Sequence, residues 1–180
     1  MDPQLRARAA KIRLLLMDVD GVLTNGLLFN VPAADGNMIE TKGFNAQDGI
    51  ALQWLRWNSI QTGVISGRES HALEVRAKQV GMTYVYQGHI EKVPILEEIL
   101  QKSGFALENI AYAGDDLTDV PILRRAGLAF APANARPEVK RYAHHVTAAA
   151  GGEAAVREIA EILLDAQGHW DGLLKKYEVE

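Results

Sequence analysis

The run Leu14-Leu15-Leu16-Met17-Asp18-Val19-Asp20-Gly21-Val22-Leu23-Thr24 decides how the rest of the chain is read. Four apolar residues end abruptly on an acid, and a second acid, a glycine and a hydroxyl follow. Nothing alternates in the apolar part, as in a strand buried on both faces. A bare carboxylate in a low dielectric is expensive, so two of them at a buried strand's end need a reason. A metal, a cationic partner or a substrate supplies one. A loop or helix cap is the structural alternative, and the stretch alone leaves both open.

Working outward, short apolar runs alternate with helical patterns. A β-hairpin flap is expected over about 27–42, where Leu27–Val31 and Met38–Lys42 are split by Pro32 and Asp35-Gly36. Helices are expected over about 44–57, 69–80, 91–102 and 153–166, and a helical turn at 139–142. Asn45 or Asp48 caps the first of these helices. Strands are expected at about 60–66, 83–86, 110–113 and 128–130, with an edge strand at 146–147. Such alternation implies an α/β fold, a doubly wound parallel sheet with right-handed crossovers and helices on both faces. In these sheets ligands sit beyond the carboxyl ends of the strands. Asp18–Thr24, Ser66–Arg68, Gln87–Lys92 and Gly114–Asp119 each follow a different strand and so meet at one edge. There is no repeat and no interdomain linker, so residues 1–180 read as one domain, with a tail from about 167 that reads as an arm.

The totals exclude several classes. A length of 180 residues supports one sizeable core, and 48% hydrophobic content argues against disorder. With a net charge of −4 and scattered basic residues, no footprint for nucleic acid or an anionic membrane exists. The absence of cysteine removes disulfides, thiolate metal sites and a cysteine nucleophile. No apolar run is long enough to span a bilayer, and no signal peptide is recognisable, so the expected location is cytoplasmic.

Asp18, Asp20, Asp115, Asp116 and Asp119 would lie close together and repel unless a divalent cation neutralises them. Oxygen ligands without histidine or thiolate suit magnesium. Ser66 offers a hydroxyl and Gly67 a close backbone approach at the start of a helix, which serves a phosphate or merely caps the helix. Lys92 also opens a helix, where a cation meets the positive dipole end at a cost of about 0.3–1 kcal/mol unless an anion is near. These parts make a phosphoryl-transfer site. Asp18 can attack phosphorus to form an aspartyl-phosphate. Asp20 can protonate the leaving alkoxide and then activate water, so it must start protonated, which crowding by other carboxylates favours. Arg68 offers a guanidinium fork for a carboxylate.

Asp-Val-Asp-Gly-Val-Leu-Thr at 18–24, Ser66, Lys92 and Gly-Asp-Asp-Leu-Thr-Asp at 114–119 resemble, in order, the four motifs of the haloacid dehalogenase superfamily phosphatases. The resemblance implies that Asp18 is the nucleophile and a magnesium ligand, that Asp20 is the acid/base and binds metal through its carbonyl, and that Asp115 is the third ligand. It makes Ser66 and Lys92 phosphoryl-binding residues, and Asp119, with Asp116, the acids behind them. Only the hairpin stands between the first motif and the next helix, so a capless member is implied. Thr24-Asn25-Gly26, the run from Lys42 to Gly49, Ser66-Gly67-Arg68, Gln87-Gly88, Gly151-Gly152 and Ala155-Val156-Arg157-Glu158 are similar to the 3-deoxy-D-manno-octulosonate 8-phosphate phosphatase family. That likeness adds Thr24, Asp48, Gly67 and Arg68 to the substrate-binding set. It implies a phosphoric monoester hydrolase of lipopolysaccharide precursor synthesis and a homotetramer whose hairpins associate. Unburied Leu27, Leu28, Phe29, Met38 and Ile39 favour an oligomer independently, since a lone hairpin is marginal. Two alternatives stand beside this reading. One is a capless phosphatase for a nine-carbon sugar acid 9-phosphate. The other is a phospho-accepting receiver module, which would lack a downstream acid like Asp20.

Overall fold

The computed structural model describes residues 1–179. Its centre is the opening apolar run. β1 (Leu14–Met17) pairs in parallel with β4 (Gln61–Ile65) on one side and with β6 (Ile110–Ala113) on the other. β5 (Tyr84–Tyr86), β7 (Leu128–Ala131) and β8 (His145–Val146) complete a six-stranded parallel sheet of order β5-β4-β1-β6-β7-β8. The chain winds outward from β1 to one edge and then returns to β6 to wind toward the other. The direction of winding reverses beside β1, the place where such sheets open a crevice for ligands. β2 (Phe29–Pro32) and β3 (Met38–Thr41) form the separate antiparallel hairpin.

The side chains of β1 alternate between two cores. Leu15 and Met17 join a core with Leu52 and Leu55 of α2 (Ala46–Trp57), Leu73 of α3 (His71–Val80) and Ile159 and Leu163 of α7 (Ala155–Ala166). Leu14 and Leu16 point the other way, to Ile95 and Ile99 of α4 (Val93–Ser103) and to Ile122 of α5 (Val120–Leu123). This double burial is why the run shows no alternation in sequence. Each fully buried leucine contributes about 1.5–3 kcal/mol.

α1 (Pro3–Ala9) starts at Asp2, whose carboxylate accepts the N–H groups of Gln4 and Leu5. α6 is placed at Pro137–Lys140, two residues earlier than expected, because Pro137 with its preset φ opens it. The tail is not a free arm. It folds back as α8 (Trp170–Lys176), buries Leu173, stacks Trp170 edge-on against Trp54 at 6.0 Å, and lets Tyr177 accept the Trp54 indole N–H at 3.1 Å. Among the described residues no helix is long and apolar enough to cross a membrane.

Candidate active site

Beyond the carboxyl ends of β1, β4 and β6 lies a cavity of about 290 Å³, lined by Asp18, Asp20, Ser66, Gly67, Arg68, Ile90, Lys92, Asp115, Asp116 and Thr118. Asp18 is the first residue past β1. Its N–H still bonds to Ala113 at 2.9 Å, so the sheet holds its backbone rigidly. One carboxylate oxygen accepts the Val19 N–H at 2.7 Å and lies 3.0 Å from Lys92 Nζ. Burial pushes the Asp18 carboxyl up to about 6, reinforced by Asp119 and opposed by Lys92.

Gly21 makes the turn after Asp20 with φ +95, and a Cβ there would stand 2.1 Å from Asp115 Oδ2. The loop therefore needs glycine for its conformation and for the approach of Asp115. Gly151 closes on the same loop from the other side, since its Cβ would meet the Gly21 carbonyl at 1.9 Å. Asn134 joins the two, donating to the Gly21 carbonyl at 2.9 Å and accepting the Gly151 N–H at 2.6 Å.

Lys92 immediately precedes α4 and is buried with its ammonium 2.7 Å from Asp119, 3.0 Å from Asp18 and 3.4 Å from the Tyr112 hydroxyl. Burial works against its charge, but Asp119 and Asp18 outweigh that and hold it above the usual lysine range. Asp119 has no oxygen to spare. Its Oδ1 accepts from Lys92 and Tyr112, and its Oδ2 accepts the N–H groups of Asp115 and Asp116 at 3.0 and 3.2 Å. Ser66 is buried, and its hydroxyl accepts the Arg68 N–H at 3.1 Å. Asp116 is exposed and bonds the Leu117 N–H.

Oxygens of Asp18, Asp115 and Asp119 all lie within 4.8 Å of one another. Because Asp119 is saturated by four donors, a cation would find its free ligands on Asp18 and Asp115. Asp115 Oδ1 is buried with no hydrogen-bond partner, the kind of atom a hard cation satisfies. Burial, with the charges of Asp18, Asp119 and Asp116, pushes the Asp115 carboxyl up to about 7. The donor set thus fits magnesium.

A model of the haloacid dehalogenase-like hydrolase family matches residues 44–159. This chain is a haloacid dehalogenase-like hydrolase. It is 41% identical over 165 residues, 92% of this chain and 86% of the relative, to the 3-deoxy-D-manno-octulosonate 8-phosphate phosphatase KdsC of Escherichia coli. The enzyme of that name from Yersinia pestis, solved at 1.95 Å, superposes with a TM-score of 0.90 at 39% identity, covering 96% of this chain and 91% of that one. The one from Moraxella catarrhalis, crystallised with magnesium ion, phosphate ion and a KDO molecule, superposes with a TM-score of 0.92 at 34% identity, covering 98% and 99%. The chain belongs to the 3-deoxy-D-manno-octulosonate 8-phosphate phosphatase family.

Two sequence-based candidates fall elsewhere in this hydrolase. Asp48 does not reach the cavity. Its carboxylate accepts the Arg157 N–H at 2.7 Å and so caps α7 from α2, while Asn45 caps α2 itself. Thr24 is buried beneath the loop, its single hydroxyl proton lying between the Val19 carbonyl at 3.3 Å and Asp20 Oδ1 at 3.4 Å. The carboxylate crowding expected at Asp20 falls instead on Asp18 and Asp115. Asp20 has cations beside it, with Lys42 Nζ at 2.5 Å and Arg68 Nε at 4.0 Å. Glu40 bridges the two, bonding Arg68 and lying 3.2 Å from Lys42. Sequence reasoning gave Lys42 and Glu40 no part in the site, though their two-residue spacing at the end of a strand puts both on one face. Tyr112 was hidden in an apolar strand, and Asn134 carried no signal.

Proposed function

We propose that this chain is a Mg2+-dependent phosphatase that converts 3-deoxy-D-manno-octulosonate 8-phosphate to 3-deoxy-D-manno-octulosonate and phosphate, a step in lipopolysaccharide precursor synthesis. The observation that carries the reading is the strand-end carboxylate of Asp18, buried with a lysine on one oxygen and a second acid, Asp115, bare beside it. Such an acid is fixed, desolvated and ready to attack an electrophile whose charge the lysine shares.

Asp18 attacks phosphorus and forms an aspartyl-phosphate. Lys92 and the Ser66 hydroxyl hold the phosphoryl oxygens, with Gly67 leaving room for them. Asp119 and Tyr112 keep the lysine in place. Asp20 gives its proton to the departing sugar oxygen and later takes one from the water that cleaves the aspartyl-phosphate. Asp18 and Asp115 would hold magnesium together with the Asp20 carbonyl, and the ion supplies positive charge opposite the phosphoryl oxygens. Arg68 takes the substrate carboxylate. The relatives favour the eight-carbon acid over a nine-carbon one, and Asp20 disfavours a receiver module.

The chain works as one domain without a cap, in the cytoplasm, as a homotetramer held by its hairpins. Leu27, Phe29, Met38 and Ile39, each half exposed or more, support that assembly.

Steady-state kinetics on the eight-carbon and nine-carbon sugar-acid phosphates test the proposal. A clear preference for the eight-carbon ester is expected, and a preference for the nine-carbon ester would sink the choice of substrate. Asp18→Asn is expected to abolish turnover, and a fully active Asp18→Asn rejects the mechanism.

A further inference from the structure

Lys42 is a second buried ammonium, and the scheme above gives it no task. It lies one residue beyond β3, its side chain 1% exposed, with Nζ 2.5 Å from Asp20 Oδ1 and 3.2 Å from Glu40 Oε1. Burying an ammonium is unfavourable unless partners meet it, and a hairpin base needs no charge to fold. The cation is therefore there for what it touches.

Its shortest contact is with one oxygen of Asp20. Thr24 Oγ1 approaches that same Oδ1 at 3.4 Å. Lys42 is the firm donor to Oδ1, which leaves Oδ2 to the cavity with Arg68 Nε 4.0 Å away. An oxygen that accepts from an ammonium cannot carry the acid proton in the same direction, so the proton belongs on Oδ2.

We propose that Lys42 is a positioning residue for proton transfer: it pins Oδ1 of Asp20 so that Oδ2 is the oxygen that works. In the first step the Asp18–phosphorus bond forms and the bond from phosphorus to the sugar oxygen breaks. The electron pair stays on that oxygen, which takes the proton from Asp20 Oδ2. In the second step Oδ2 receives a proton from water as water's oxygen attacks phosphorus and Asp18 leaves as a carboxylate. Glu40 steadies Lys42 from its other side and bonds Arg68, so the hairpin ties the carboxylate clamp to the acid/base within one chain.

The inference rests on the phosphatase reading, and leaving-group dependence separates the two. The full-length protein with Mg2+ is mixed in single-turnover experiments with the sugar-acid phosphate or with p-nitrophenyl phosphate, whose leaving group departs without needing a proton. Lys42→Met is expected to slow transfer from the sugar ester by about 10- to 100-fold and from the aryl ester by less than about threefold, with KM little changed. Lys42→Arg, which keeps a cation, recovers most of the loss. Equal slowing of both esters, or none, overturns the proposal while leaving an active wild type and its mechanism untouched. An inactive wild type overturns the phosphatase reading instead. If Lys42→Met does not fold, Glu40→Gln loosens Lys42 without removing it. A loss of about threefold in the transfer rate at saturating sugar ester is then expected, and a loss that saturation removes, as a loosened Arg68 would give, or one shared by both esters rejects the role.

Discussion

At the scale of residues, the site is a balance between buried acids and few cations. Asp18 sits near 6 and Asp115 near 7, both pushed up first by burial. Groups so raised hold protons in the folded state that the unfolded chain releases. Their contribution to stability is full below about pH 4 and is lost as pH rises through 6 to 7. A bound cation reverses this, because it favours the charged forms. Magnesium at about 100 times its dissociation constant is expected to raise the melting temperature by about 5–10 °C at pH 8 and by much less at pH 5. Asp115→Asn should remove most of the shift at pH 8, and equal shifts at both pH values in calorimetry would contradict these ligands. Gly21 makes a second test. Alanine there would adopt φ +95 with its Cβ 2.1 Å from Asp115. Gly21→Ala is expected to cost more than about 2 kcal/mol in urea unfolding and to weaken the magnesium response.

At the scale of elements, β1 was legible because burial on both faces leaves an unbroken apolar run, and α7 because Val156, Ile159, Ala160, Leu163 and Leu164 mark one buried face. The fold of α8 was not. Its stripe of Trp170, Leu173 and Tyr177 is short and interrupted by Gly172, so local pattern alone is weak; the helix exists because it covers Trp54 and Arg157. The site divides likewise. Acids and Lys92 that end or follow strands could be read in sequence. Asp48 could not be separated from them, because its real partner, the N–H of Arg157, lies 109 residues away. That partnership makes a prediction at this scale. Asp48 is buried and pushed up to about 6 by that burial, with one oxygen bare. Its stabilising share is full below about pH 4 and is lost as pH rises through 6, leaving a buried charge where α2 meets α7. Asp48→Asn keeps an acceptor for Arg157 and removes the charge. It is expected to stabilise the protein by about 1–3 kcal/mol at pH 8 and to change nothing near pH 4, as read by urea unfolding at the two values.

At the scale of the whole molecule, the hairpin contributes no side chain to either core, and its two faces carry different chemistry. Directly paired residues share a face, so the register Phe29↔Thr41 and Val31↔Ile39 groups Phe29, Val31 and Ile39, all exposed. Glu40 alternates to the opposite face and Lys42 follows two residues on, both turned toward Asp20 and Arg68. One face of the hairpin thus braces two residues of the cavity wall, Asp20 and Arg68, while the other offers apolar surface with nothing on it in the single chain. A soluble chain rarely leaves such a patch uncovered, and two strands alone are marginal. Hairpins meeting through the Phe29–Val31–Ile39 face would bury the patch and hold the Glu40–Lys42 face over each active site. Ile39→Glu places a charge directly opposite Val31 without touching that second face. Sedimentation velocity is expected to show a tetramer for the unaltered chain and smaller species for the variant, with circular dichroism unchanged. The sugar ester should then be turned over more slowly, because a hairpin freed from its neighbours holds Lys42 less firmly against Asp20. A variant that stays tetrameric would move the interface elsewhere. One that becomes monomeric at full activity would show that the hairpin needs no neighbour to serve its own site.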